Sequence, residues 1–304
     1  MEVSIIIPTK DRTEILKKTL ASAVEAVSHL KAEIVVVDDS SAVAPEIPDE
    51  YKNVRLLRNP GSGVASARNF GVKNTANPLI LFLDNDILIS RNSIDHIISL
   101  HNENKNSCFN LNWTYPPEMI EQLAKTGFGR FLKRYDMITY HGWYNSPVWK
   151  NNSLFAVPAL AGFHLSIMRS DFLKTGGYEE RFPFAGFEDY DFPKRLQQHG
   201  INQYIDSRVT VLHNEVDRLG LENWLANWER RSASRKAGVQ LGYGELALSY
   251  STAKSLALKF ILAIYPVLTG ITHFWPNFSF LDSAFFKLIT IMQAARIYKG
   301  YSAN

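Results

Sequence analysis

Four short apolar runs, each followed by polar residues, constrain this chain more than any other feature. They are Val3 to Ile7, Ile34 to Val37, Val54 to Leu57 and Leu79 to Leu83. Apart from Ser4 in the first and Arg55 in the third, each is continuously apolar rather than alternating, the pattern of a strand buried on both faces. Between the first two lies a stretch, 14–30, whose Ile15, Leu16, Leu20, Ala23, Val24, Val27 and Leu30 fall on one helical stripe. Unbroken strands alternating with helices or loops argue for a parallel sheet covered on both faces, an α/β architecture. In open sheets of this type ligands sit outside the carboxyl ends of the strands. The sequence places Pro8-Thr9-Lys10-Asp11-Arg12, Asp38-Asp39-Ser40 and Asp84-Asn85-Asp86 there, so three polar clusters are expected on one rim.

A chain of 304 residues with 46% hydrophobic content can bury a large core. Its 33 basic and 30 acidic residues are mixed without blocks of like charge, which gives no reason to expect a nucleic-acid partner. The single cysteine, Cys108, excludes an internal disulfide framework and a thiolate metal cluster, and this favours a reducing cytoplasm. The apolar N-terminal stretch is too short for a signal peptide and reads as a strand.

Further along, Trp113, Tyr115, Trp143, Tyr144 and Trp149 sit among Pro, Asn and Gly with no sustained period, so 104–157 reads as an irregular, aromatic-rich insertion. Regular structure is expected again at 165–169, in a helix entered at Glu188 and closed by Gly200, and in a strand over 204–212. Beyond about Leu221 the chain changes to amphipathic helices carrying Trp224, Trp228 and the basic group Arg230, Arg231, Arg235 and Lys236.

Asp84-Asn85-Asp86 sets two carboxylates on one side of an extended chain leaving a buried strand, because residues two apart point the same way. Hard oxygen ligands suit Mg²⁺ or Mn²⁺, which complete their shells with substrate phosphates. A solvated turn with a helix cap would read the same. Glu188-Asp189 opens a helix, where acidic residues are common because they complement the dipole. His213 follows an apolar strand, and a lone histidine is more often structural than a ligand.

In their order these pieces resemble the family 2 glycosyltransferases of the GT-A fold. Ser4-Ile5-Ile6-Ile7-Pro8-Thr9 with Asp11-Arg12 is similar to the family's opening strand, and Glu33-Ile34-Val35-Val36-Val37-Asp38-Asp39-Ser40-Ser41 to its second. Gly63-Val64-Ala65-Ser66-Ala67-Arg68-Asn69-Phe70-Gly71 resembles its helix entry, and Leu81-Phe82-Leu83-Asp84-Asn85-Asp86 its acidic motif. Ala161-Gly162-Phe163, Gly176-Gly177-Tyr178 and Phe187-Glu188-Asp189-Tyr190-Asp191-Phe192 fit the acceptor half.

The resemblance implies a GT-A catalytic domain over 1–220, with a mostly parallel central sheet flanked by helices. The donor half would span about 1–103, the acceptor half about 104–220, and a C-terminal amphipathic helical extension 221–304. It further implies inverting transfer of a sugar from a nucleotide diphosphate donor, UDP by family frequency, to an acceptor hydroxyl. The nucleotide base would lodge near Pro8, Thr9 and Asp11, with Asp39 on its edge, Arg68 closing the pocket and Asp84 near the ribose. Arg12 and Asn85 complete the donor-binding set. Asp86, joined by His213, would hold a divalent ion, Mn²⁺ or Mg²⁺. Asp189 would be the general base and Glu188 would orient hydroxyls.

The longest apolar stretch, Phe260 to Ile271, is shorter than a spanning helix and interrupted by Pro266. With the surrounding Phe and Lys residues it either lies in a membrane interface or packs on the protein. The expected setting is cytoplasmic, extending to the inner face of the plasma membrane, with a glycan or lipid-linked acceptor in bacterial polysaccharide or glycan assembly. Two alternatives stand beside this reading: a non-catalytic sugar-nucleotide binding protein, and a sugar nucleotidyltransferase. The latter would carry a Gly-rich phosphate loop after the first strand, where this chain has Pro8-Thr9-Lys10-Asp11-Arg12.

Overall fold

The computed structural model describes residues 1–145 and 147–303. Its elements in chain order are β1 (Val3–Thr9), α1 (Thr13–Ala26), β2 (Ala32–Asp38), β3 (Val54–Arg58), α2 (Val64–Lys73), β4 (Leu79–Leu83), β5 (Ile87–Leu88), α3 (Arg91–Glu103) and β6 (Ser107–Thr114). There follow α4 (Pro117–Ala124), α5 (Gly127–Arg134), α6 (Tyr140–Tyr144), β7 (Leu154–Ala156), β8 (His164–Met168), α7 (Arg169–Lys174), α8 (Glu188–Gln198) and β9 (Asn202–His213). The C-terminal part holds α9 (Leu221–Gln240), α10 (Thr252–Ala263), α11 (Tyr265–His273) and α12 (Asp282–Ser302).

Among the described residues nine strands form one sheet in the order β3-β2-β1-β4-β8-β6-β9-β5, with β7 on β9. The four apolar runs are β1 to β4, all mutually parallel, but β3 stands at the sheet's edge with Arg55 and Leu56 exposed and is not buried on both faces. β1 and β4 are buried along their whole length, and Val36 and Val37 of β2 likewise. β8 runs against both β4 and β6, while β6 and β9 are parallel to one another. The carboxyl ends of β1, β2, β4, β6 and β9 therefore open on one rim, and the polar residues that follow these strands share it.

The insertion expected to be irregular is not so. Residues 104–157 contain β6, α4, α5, α6 and β7. β6 escaped its apolar pattern because Ser107 and Asn110 are buried polar residues inside it. Asn110 is fully enclosed. It donates to the carbonyls of Ala161 (3.1 Å) and His164 (2.5 Å) and accepts from Tyr140 Oη (2.8 Å) and Ala161 N (3.1 Å), so its burial is compensated. α4 and α5 are only eight residues each, too short for a helical period to declare itself. At another edge, α1 stops at Ala26 rather than near residue 30.

The chain divides into two compact units. The first comprises Met1–Pro116, Thr139–Glu180 and Glu188–Glu215; the second comprises Pro117–Ile138, Arg181–Phe187 and Val216–Asn304. The helical unit thus starts at Val216 and also takes two segments from the half expected to bind the acceptor. Within it, Arg130 of α5 grips Asp282 of α12 through Nε and Nη2, both at 2.7 Å, and Phe131 meets Phe286 edge to face. Ser234 of α9 accepts from Phe184 N (3.0 Å) and donates to Phe184 O (2.6 Å). α9 and α12 lie against each other, with Arg296 Nη1 on Glu229 at 2.6 Å.

Candidate active site

Two groups of charged side chains stand on the rim of the first unit. The first is built by strand register. β5 pairs antiparallel with β9 so that Ile87 faces His213, and Asn214 N donates to Asp86 O at 2.6 Å. This sets Asp86 beside His213, with Asp86 Oδ1 3.4 Å from His213 Nε2. Glu215, two residues on, brings Oε2 to 4.0 Å from the same nitrogen. One ligand atom from each of Asp86, His213 and Glu215 can be chosen so that all lie within 4.8 Å of one another.

The other oxygen of Asp86, Oδ2, accepts from Arg12 Nη1 at 2.5 Å. Asp86 Oδ1 is buried and accepts no hydrogen bond, an arrangement normally costly for a carboxylate oxygen. Burial opposes its charge, but His213 and then Arg12 outweigh it and hold the carboxyl well below the usual range. Burial likewise opposes protonation of His213, yet Glu215 and Asp86 push it up to about 9. Trp113 meets the imidazole edge on at 5.0 Å, and Phe163 lies parallel to it at 6.5 Å. Tyr115 Oη hydrogen-bonds Glu215, because β6 runs parallel to β9 and delivers Tyr115 next to the His213 level.

The second group surrounds Arg68 of α2, which is only 2% exposed. Its Nη2 lies 2.9 Å from Asp84 Oδ1, and its Nη1 lies 3.4 Å from Glu188 Oε1 and 3.9 Å from Asp189 Oδ1. The guanidinium carbon also sits 5.2 Å from the Tyr178 ring centroid. Burial disfavours this charge; the surrounding carboxylates, Asp84 first, more than offset it and keep the guanidinium protonated. Asp189 Oδ1 accepts from Gly162 N at 2.9 Å. That approach demands glycine, since a Cβ at 162 would lie 2.5 Å from Arg68 Nη1 and 2.7 Å from Asp189 Oδ1.

The remaining candidates divide between exposed rim and buried scaffold. Pro8 and Thr9 are buried in β1, paired with Val37 and Asp38. Asp11 is exposed, adopts φ 51°, and accepts from Ala42 N at 2.7 Å, tying the loops after β1 and β2 together. Asp39 accepts from Gly63 N at 2.9 and 3.0 Å and from Asn59 Nδ2 at 2.8 Å. Gly63, at φ 89°, turns the chain into α2 and aims that N–H at the carboxylate. Asn85 donates to Thr9 Oγ1 and accepts from Arg12 Nη1, each at 2.8 Å, so its amide stitches β1 to the acidic motif. Glu188 is 2% exposed and buried against Arg68.

The expected extended geometry of Asp84-Asn85-Asp86 does not hold. Ile87 N donates to Asp84 O at 3.1 Å, closing a turn, and the two carboxylates part: Asp84 goes to Arg68 and Asp86 to Arg12 and His213. Glu215 and Tyr115 were not picked out from the sequence. The signal was available in His213-Asn214-Glu215, two ligand types two apart at the end of a strand.

A mostly parallel sheet flanked by helices, with this acidic rim and a C-terminal helical region, defines a GT-A glycosyltransferase architecture. The family model described as Glycosyl transferase family 2 matches residues 4–169, and the chain belongs to that family. It is 24% identical over 258 residues to validoxylamine A glucosyltransferase of Streptomyces hygroscopicus subsp. jinggangensis, covering 75% of this chain and 60% of that one. It is 23% identical over 226 residues to the O-antigen biosynthesis protein RfbC of Myxococcus xanthus, covering 70% and 17%. The chain therefore spans at most 60% of the length of these relatives. Among solved structures it resembles GalNAc-T7 with UDP, GalNAc and Mn²⁺ (TM-score 0.53, 18% identity, 69% of this chain, 42% of that one). It also resembles S. aureus TarS 1-349 (TM-score 0.52, 15% identity, 99% and 89%). Both likenesses are of fold.

Proposed function

We propose that this enzyme moves a sugar, with inversion, from a nucleotide diphosphate donor, UDP-linked first, onto a hydroxyl of a glycan or lipid-linked acceptor in cytoplasmic polysaccharide assembly. The observation that carries this reading is the Asp86–His213–Glu215 cluster, held apart from a second set of carboxylates on Arg68. Two carboxylates and an imidazole around an oxygen that accepts no hydrogen bond fit a divalent ion, and the nitrogen donor suits Mn²⁺ better than Mg²⁺. Such an ion, when bound, would neutralise charge developing on a diphosphate leaving group. The GalNAc-T7 structure contains UDP and Mn²⁺, the donor fragment and ion proposed here.

Asp86, His213 and Glu215 would hold the ion, with Arg12 fixing Asp86 in place. Asp39, Asp11 and Thr9 would border the nucleotide, and Asp84 would lie near the ribose. Asp189, which remains partly exposed at 22%, would take the proton of the acceptor hydroxyl. Glu188 acts through Arg68 rather than on the acceptor directly, because it is buried against the guanidinium. Calorimetric titration with UDP, GDP, TDP and CMP, with and without Mn²⁺, tests the reading. One diphosphate should bind selectively and only with metal, and Asp86→Ala should abolish the metal dependence. Equal binding with and without Mn²⁺ would remove the ion from the site.

A further inference from the structure

We propose that the outer face of α10 and α11 is a docking surface for an anionic lipid bilayer, lying in the interface without crossing it. A surface helix ordinarily turns apolar residues inward and polar ones outward. α10 turns apolar residues both ways. Its inner side packs Leu258 against Ala295 and Tyr298 of α12, with Ile261 and Leu262 alongside. Its outer side leaves Leu256 62% and Phe260 63% exposed, one turn apart. α11 repeats the pattern with Val267 at 63% and Ile271 at 43%, and the following loop exposes Phe274, Phe278 and Phe280. Seven exposed large apolar side chains within 25 residues of chain, rather than scattered singly, mark an interaction surface.

Length decides how a bilayer would be met. Together α10 and α11 have the length and composition of a membrane span, but they are bent by 59° at their junction, and among the described residues no single helix is long and apolar enough to cross. At 1.5 Å per residue each covers less than roughly 20 Å of a hydrocarbon core about 30 Å thick. Charge decides between a bilayer and a second copy of the chain. No Asp or Glu occurs between Glu245 and Asp282, whereas Lys254, Lys259 and His273 fall in that interval and are exposed. An isologous dimer through this face would set those lysines against themselves, while anionic headgroups complement them. The combination of an apolar face, aromatic side chains and flanking lysines is that of an interfacial anchor.

The test is co-sedimentation of the full chain with vesicles of phosphatidylcholine alone or mixed with phosphatidylglycerol. The protein should bind the mixed vesicles in a salt-sensitive manner. The pair Leu256→Glu and Phe260→Glu should lower the partition coefficient at least about tenfold, and Lys254→Gln with Lys259→Gln should weaken the anionic preference roughly fivefold per lysine. Circular dichroism and Tm report whether each variant is folded, and Phe274→Glu with Phe280→Glu, at 81% and 79% exposure, provides a second pair whose rings lie against the neighbouring His273 and Phe278. Absence of vesicle binding by the unaltered protein, or unchanged binding by both folded glutamate pairs, would overturn the proposal. So would a dimer seen by light scattering without lipid that the same substitutions dissolve. Vesicle binding needs no donor, ion or acceptor, so its failure would leave the transfer chemistry untouched.

Discussion

Replacing Gly162 by alanine tests whether the Arg68–Asp189 pair stands at the reacting centre. The added Cβ would lie 2.5 Å from Arg68 Nη1, 2.8 Å from its Cζ and 2.7 Å from Asp189 Oδ1. Neither partner can retreat freely. Arg68 is buried and gripped from its other nitrogen by Asp84 at 2.9 Å, and Asp189 is tied to the backbone of residue 162 itself at 2.9 Å. Restoring ordinary contact near 3.4 Å requires displacements of about 0.7 to 0.9 Å at one or both groups. Overpacking of this kind costs about 1–3 kcal/mol, and a misplacement near 1 Å at a reacting group can cost on the order of 100-fold in rate.

The assay is UDP release from a panel of UDP-sugars with Mn²⁺, beside calorimetric titration of UDP. Turnover by the Gly162→Ala enzyme should fall about 100-fold, and by more than UDP affinity does, since the atoms nearest the new methyl group belong to Arg68 and Asp189 rather than to Asp86, His213 or Glu215. Gly270→Ala is the matched control. Its Cβ meets nothing within 4 Å, and in the interior of α11 it should be neutral or stabilising by up to about 1 kcal/mol. Full turnover by folded Gly162→Ala protein would refute the assignment of this pair to the chemistry.

Three further outcomes are expected. Asp189→Asn keeps the shape and the acceptor for Gly162 N, so donor binding should survive while transfer falls about 10²- to 10⁴-fold; transfer within tenfold of the unaltered enzyme would place the base elsewhere. His101 and His164 are buried in the first unit, and burial pushes each down to about 4 from 6.5. The unfolded chain binds those protons more readily, so stability is lost as pH falls from 6.5 towards 4, by about 2 kcal/mol per histidine between pH 7.5 and 5. Urea midpoints at the two pH values measure this, and equal midpoints would contradict it. In the second unit a Cβ on residue 300 would lie 2.0 Å from Glu229 O, a backbone atom, so Gly300→Ala should push α12 off α9 at a cost of about 1–3 kcal/mol; an unchanged Tm would deny that close approach.

What could be read in the sequence follows from how each element buries itself. The central parts of β1, β2 and β4 are covered on both faces, so Ile5 to Ile7, Ile34 to Val37 and Leu79 to Leu83 are continuously apolar and the turn residues after them stand out. β6 is equally interior, but it satisfies Asn110 through Tyr140, Ala161 and His164, partners 30 to 54 residues away that no local pattern reveals. Asp84 and Asp86 were visible as a motif, yet their divergence depends on a turn closed at Ile87 and on the positions of Arg12, Arg68 and His213. Glu215 joins the site because the β5–β9 pairing brings Asp86 to its strand, and that register is a tertiary fact.

The two groups on the rim differ in their make-up, and the difference matches the proposed division of labour. Around Asp86, the Arg12 guanidinium and a protonated His213 face two carboxylates, Asp86 and Glu215, so the cluster is close to neutral. A divalent cation replacing the imidazole proton would turn it positive, which is what a departing diphosphate requires. Around Arg68 one guanidinium lies against three carboxylates, Asp84, Glu188 and Asp189. A carboxylate among these suits a centre that would remove a proton from a neutral hydroxyl. Gly162 holds the arrangement at its closest point, donating to Asp189 while leaving room for Arg68, and a side chain there would disturb the proposed base and its neighbouring guanidinium together.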